Sequence, residues 1–253
     1  MKCKNPSVSR GFTLTELLIV IGIIGLLIAI LVPALNRARD ASNRIKCLSN
    51  LRELGTAIQM YASSYNGKIP IGYWSDQKQT NYLIHVNEDG LSFYTMFGLL
   101  YQAHMLPTPQ ALFCPAEPLE AFQYNTPENP WPPTEVVATE RENTRAGYGG
   151  RPTVNWIETG DWPEQMSIIS KYKHHALLAD LVSTPYFVTR RHKKGINVYY
   201  ADGSAGWVSR DKFDNTIAII PDITYPFTPS FNKYMLNDDG EPLSGIWRRL
   251  DKQ

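Results

Sequence analysis

Several groups of side chains in this sequence have types and spacings that could do chemistry. Glu16 is a lone carboxylate one helical turn inside an apolar run that continues from Leu17 to Asn36 without a charge. An ionisable group at that depth in apolar surroundings is costly, so it calls for a partner and a task. Cutting between Gly11 and Phe12 would place a new amine one turn from Glu16, and the carboxylate of one subunit could then neutralise the amine of its neighbour. His192 is followed by nine residues and then Asp202-Gly203. At strand spacing His192 and Asp202 lie roughly 30 Å apart, which excludes a local catalytic pair unless the chain bends. Asp202-Gly203 reads as a turn. His192, among Arg190, Arg191, Lys193 and Lys194, reads as part of a solvated basic face, with anion binding as the alternative. His174-His175 precede Asp180, but neighbouring residues of a strand point to opposite faces, so one shared metal ion is not expected. Asn237-Asp238-Asp239-Gly240-Glu241 is an oxygen-rich turn that could hold calcium, although it lacks the full alternating-ligand loop. No other metal or cofactor is expected. Nucleophile–base triads, phosphate loops and metalloprotease helices are absent from the sequence, so the expectation is that the protein is not an enzyme.

The element that must position Glu16 is the apolar run itself. As a helix it reaches about 30 Å, enough to cross a bilayer core. A secretory signal peptide or a plain anchor fits less well: the basic segment before the run is short and ends in Ser9-Arg10-Gly11-Phe12, and no small-x-small cleavage site follows. Pro33 lies inside the helical pattern and should kink it. Gly22 and Gly25 allow close backbone approach between membrane helices. Beyond the run, Leu35, Ala38, Ala41, Ile45 and Leu48 form one stripe, and Cys47, Leu51, Leu54, Ile58, Tyr61 and Tyr65 form another. Two offset stripes suggest two partners, the protein's own head for the second and neighbouring subunits for the first; a single wide core face is the other reading. Asn66-Gly67-Lys68 and Pro70 supply the stop.

Gly11, Phe12, Thr13, Leu14 and Glu16 together resemble the N-terminus of type IV prepilins and of type II secretion pseudopilins. Those families carry a short basic leader ending in Gly, an aromatic first mature residue, a Glu four positions on and a long apolar helix. The resemblance implies cleavage after Gly11 by a prepilin peptidase, N-methylation of Phe12, and assembly with like or related subunits through Glu16. It also implies a single pass through the inner membrane with an exported head, reaching the periplasm or cell surface in a filament. Residues 47–70 are similar to the second half of that helix in a group of prepilin-like proteins. The His192-X9-Asp202-Gly203 element resembles that group's C-terminal element, whose role the resemblance does not supply.

Length and composition suit one head domain plus the anchor: 253 residues, 43% apolar, much of it in the run. The formal charge of +1 becomes −2 once Lys2, Lys4 and Arg10 leave with the leader, which offers no electrostatic case for nucleic-acid binding. Cys3 would leave too. Cys47 and Cys114 remain, and both a disulfide in an exported head and two buried thiols are open. Downstream, 91–106 reads as a short helix, Leu112-Phe-Cys-Pro115 as a strand end and 115–135 as a Pro-rich loop. Tyr148–Gly150, Val154–Trp156 and Ala176–Asp180 read as strands. Gly195–Tyr200 and Ser204–Ser209 flank Asp202-Gly203 as a hairpin. The expected divisions are a leader (1–11), a membrane half of the helix (12–35), an exported half (36–66) and a β-rich head (67–253). The expected fold class is α+β and pilin-like, a long N-terminal transmembrane helix packed on an antiparallel sheet. The expected function is a pilin-like or pseudopilin structural subunit of a type IV pilus or type II secretion pseudopilus. The alternative is a membrane-tethered adhesion module displaying aromatic residues such as Trp131, Trp156, Trp162 and Trp207.

Overall fold

The structure is a computed structural model and describes residues 13–70, 73–74, 81–88, 90–134, 142–151, 153–155, 166–182, 185–217 and 246–252. The leader, the acidic turn at 237–241, Trp156 and Trp162 lie outside the described residues. The chain forms two compact units, Met1–Ser42 and Asn43–Gln253.

Helix α1 spans Leu14–Ser64. In the first unit it is built from Leu, Ile, Val and Ala, and its large apolar side chains from Leu14 to Leu35 are all exposed. Pro33 sits within the helix, where its missing N–H leaves the Ala29 carbonyl without its ladder partner. In the second unit the stripe Cys47, Leu51, Leu54, Ile58 and Tyr61 is buried, while Ile45, a member of the other stripe, is exposed. Asn66 and Gly67 adopt positive φ, and the Gly67 N–H bonds the Ala62 carbonyl at 2.7 Å, which ends the helix where the Asn-Gly signal placed its stop.

The head is organised by an antiparallel sheet of six strands: β2 (Asn81–Glu88), β3 (Leu91–Tyr94), β4 (Thr144–Gly150), β6 (Ala176–Asp180), β7 (Gly195–Tyr200) and β8 (Ala205–Ser209), in the order β3-β2-β4-β6-β7-β8. A separate parallel pair joins β1 (Tyr73–Trp74) to β5 (Val154–Asn155). The fold is therefore α+β, with a long apolar N-terminal helix and an antiparallel sheet.

Strand β7 is buried along its whole length, so both of its faces are covered. Tyr199 belongs with Leu178, Tyr148 and the α1 stripe in the main core. Ile196, Val198 and Tyr200 alternate onto the other face, with Ala179 and the short helix Ile246–Leu250. Gly55 makes the first contact possible: a Cβ there would lie 2.1 Å from the Tyr199 ring.

Two elements differ from the sequence reading. Segment 91–106 divides into β3, which pairs with β2, and a short helix α2 (Phe97–Gln102). Residues 91–94 alternate in exposure, and Gly90 at φ 79 follows β2 as hairpin turns require. Leu112 closes a 3-10 turn over Pro109–Leu112 rather than a strand, and Phe113 beyond it is extended.

Candidate functional site

The start of α1 is closed by reciprocal bonds. The Thr13 hydroxyl accepts the Glu16 N–H at 3.2 Å, while Glu16 Oε2 accepts the Thr13 N–H at 2.9 Å and its hydroxyl at 2.7 Å. This is a capping box, and the signal that marks it in the sequence is the Thr-x-x-Glu spacing of Thr13 and Glu16 ahead of the apolar run. In a single chain the Glu16 carboxylate is thus already engaged at the positive end of the helix dipole. Gly11 and Phe12 lie outside the described residues.

A second cluster forms inside the head. Cys47 comes from α1, Cys114 follows the 3-10 turn, and Asp180 ends β6. His192 follows α3 (Pro185–Arg191). Cys47 Sγ and Cys114 Sγ are unbonded and 2.6 Å apart. Cys114 Sγ lies 3.8 Å from His192 Nε2, which lies 3.4 Å from Asp180 Oδ2. One donor atom from each of the four residues falls within 4.8 Å of every other. The cysteines are 0% and 3% exposed, and the His192 and Asp180 side chains 2% and 1%.

Local structure aims each of these groups. Gly147 on β4 lets the Cys114 backbone pass, since a Cβ there would lie 2.5 Å from the Cys114 nitrogen. Helix α3 stops with the Lys193 N–H on the Val188 carbonyl at 2.7 Å and Lys193 itself at φ 59, which reverses the chain around His192. Trp207 stands edge-on to the imidazole, with its centroid 6.0 Å away, and carries the Arg44 guanidinium 3.9 Å over its ring. Asp180 Oδ2 accepts the Asn197 backbone N–H at 2.6 Å and its side-chain amide at 3.0 Å. Asp180 Oδ1 is buried with no hydrogen-bond partner among the described residues. Next to His192, Arg191 is buried against Glu117 and donates to the Gly147 carbonyl at 2.5 Å.

Burial pushes the Cys114 thiol well above its ordinary value. Burial also works against a charged His192, but hydrogen bonds to Asp180 and Cys114 outweigh it and lift the imidazole to about 10. His192 is therefore not part of a solvated basic face, because its side chain turns away from its exposed neighbours Lys193 and Lys194 into the core. Its companion in the sequence element, Asp202, occupies the β7–β8 turn with Gly203 at φ 87. His174 Nδ1 faces Asp202 at 3.5 Å and His175 Nε2 faces Asp251 at 4.0 Å, so neither shares the place of Asp180. Trp131 packs edge-on against Tyr101 and Phe113.

Sequence reasoning paired Cys47 with Cys114 as a possible disulfide but joined neither to Asp180 nor to His192. They lie on four elements, and no short ligand spacing links them.

Residues 6–32 match the family described as the prokaryotic N-terminal methylation motif, and residues 36–108 match a family described as a protein of unknown function (DUF1559). The chain is 42% identical over 52 residues to type II secretion system core protein G of Klebsiella michiganensis, covering 21% of this chain and 37% of the relative. It is 39% identical over 57 residues to the protein of the same name from Pectobacterium carotovorum subsp. carotovorum, covering 22% and 36%. The chain thus spans little more than a third of the length of these relatives. No solved structure matches it. Neither family match extends past residue 108, so Cys114, Asp180, His192 and the Asp202-Gly203 turn stand outside both. Over its N-terminal part the chain is thus similar to the methylation-motif family and to type II secretion system core protein G, and over residues 36–108 it is similar to a family described as of unknown function.

Proposed function

We propose that this protein is a pilin-like structural subunit, cleaved after Gly11, N-methylated at Phe12 and assembled with like or related subunits into a type IV pilus or type II secretion pseudopilus. The observation that carries the reading is a coincidence on one helix. The methylation-motif match covers residues 6–32, and the same stretch presents an apolar surface from Leu14 to Val32 that is exposed throughout, headed by a single carboxylate at Glu16. Such a surface suits hydrocarbon before assembly and neighbouring helices after it. A prepilin peptidase with methyltransferase activity is the processing partner. Before assembly the chain crosses the inner membrane once with its head exported, and the work is done by helix packing rather than by a catalytic site.

Intact-mass measurement and N-terminal sequencing of the protein recovered from its host's membranes test this directly. The expected chain begins at methylated Phe12. A chain still beginning at Met1, in cells with an active prepilin peptidase, would reduce α1 to a plain anchor and remove the proposal.

A further inference from the structure

We propose that Cys47, Cys114, Asp180 and His192 form a structural site for one divalent transition-metal ion of the zinc class, which locks α1 to the sheet of the head. The donor set is the first argument. Two thiolates, an imidazole and a carboxylate match the ligands that zinc takes in closed four-coordinate sites. Geometry is the second. A tetrahedral centre with ordinary zinc bond lengths separates its ligand atoms by about 3.3–3.8 Å. His192 Nε2 to Asp180 Oδ2 is 3.4 Å and Cys114 Sγ to His192 Nε2 is 3.8 Å. The Cys47–Cys114 edge, at 2.6 Å, is shorter and would open by about 1 Å around an ion.

The third argument is the state of Asp180. Its Oδ2 is held by both N–H groups of Asn197, while Oδ1 is buried without a partner among the described residues. With Oδ2 as the ligand atom, the two Asn197 N–H groups are the outer shell that orients it, and the charge of an ion beside it compensates the burial of the unclaimed Oδ1. The Asn197 amide also donates to the Arg44 carbonyl of α1 at 3.3 Å, so that shell reaches the helix that supplies Cys47.

A disulfide between Cys47 and Cys114 would account for the sulfurs, but it leaves unexplained why an imidazole and a carboxylate are buried against them. With all four positions filled by protein and the side chains shut from solvent, the site has no open coordination position, so its role is to hold structure. Binding displaces two thiol protons and the imidazolium proton to solvent. No electrons are transferred.

Metal content of the full chain provides the test, after extraction in detergent and purification without an immobilised-metal step. One zinc per chain is expected, retained through gel filtration, with both thiols reactive only after chelation under denaturing conditions. His192→Ala and Asp180→Asn should each lose the stoichiometric ion. Should those variants fold poorly, cobalt substitution of the unaltered chain gives a second readout. A thiolate-to-cobalt charge-transfer band is expected, and it should weaken in Cys114→Ser. A non-reducing mass two units below the dithiol chain would replace the site with a disulfide. A dithiol chain that takes up neither ion from zinc- or cobalt-replete buffer would overturn the proposal equally.

Discussion

Asp202 accepts the Ser204 N–H at 3.0 Å and its hydroxyl at 2.6 Å, and pairs with Lys252 at 2.5 Å. Lys252 first, and then Ser204, hold its carboxyl well below the usual carboxylate range. A carboxyl depressed in the folded state contributes stability that is fully present above its unfolded value, about pH 4, and lost as pH falls below it. Both side chains are partly exposed, so the contribution is small, under about 1 kcal/mol. Asp202→Asn should therefore melt slightly below the unaltered chain at neutral pH, with the gap closing as pH falls under 4; a gap that stays constant into acid would assign the loss to turn geometry instead of charge. This residue was legible in the sequence because Asp-Gly acts locally, through the positive φ of Gly203 and the bonds to Ser204. His192 was not. Its neighbours 190–194 are nearly all cationic, and only the end of α3, with Lys193 at positive φ, turns its ring inward.

At the scale of elements, the docking of α1 on the head depends on a missing side chain. In an exposed helix, Gly to Ala gains up to about 1 kcal/mol. At Gly55 the sign reverses, because the new Cβ would enter the Tyr199 ring at 2.1–2.5 Å and the ring is 2% exposed, with little space to retreat. Gly55→Ala should lower the denaturation midpoint of the detergent-solubilised chain by an amount equivalent to about 1–3 kcal/mol. Tyr199→Leu alone should also cost stability, but the double variant should recover part of the loss. A strictly additive pair would show that Gly55 and Tyr199 do not meet. The stripe that docks was readable as apolar residues at spacings of three and four, as were the β7–β8 hairpin and the buried run of β6. The β2–β3 hairpin was missed although Asp89-Gly90 carries the same signal as Asp202-Gly203. The apolar residues of 91–106 counted as one helix hid the alternation of Leu91–Tyr94. The cluster of Cys47, Cys114, Asp180 and His192 had no such local trace. It exists only once the sheet order places the end of β6 beside the start of β7, facing α1.

At the scale of the whole molecule, the proposed filament places two demands on Glu16. Within one chain it completes the capping box with Thr13, a local task that any side chain with a well-placed acceptor can perform. Between chains it would neutralise the amine created at Phe12, a task that needs negative charge in apolar surroundings. Glu16→Gln separates the two, since glutamine serves in a capping box but carries no charge, while Glu16→Ala removes both. Both variants should still be inserted and cleaved after Gly11, as judged by N-terminal sequencing. If charge pairing drives assembly, Glu16→Gln should fail to enter sheared filaments or cross-linked oligomers as completely as Glu16→Ala does. If Glu16→Gln assembles normally while Glu16→Ala does not, the carboxylate acts through the helix start alone. The exposed surface from Leu14 to Val32 would then have to align neighbouring subunits by packing, without a charge to set their register.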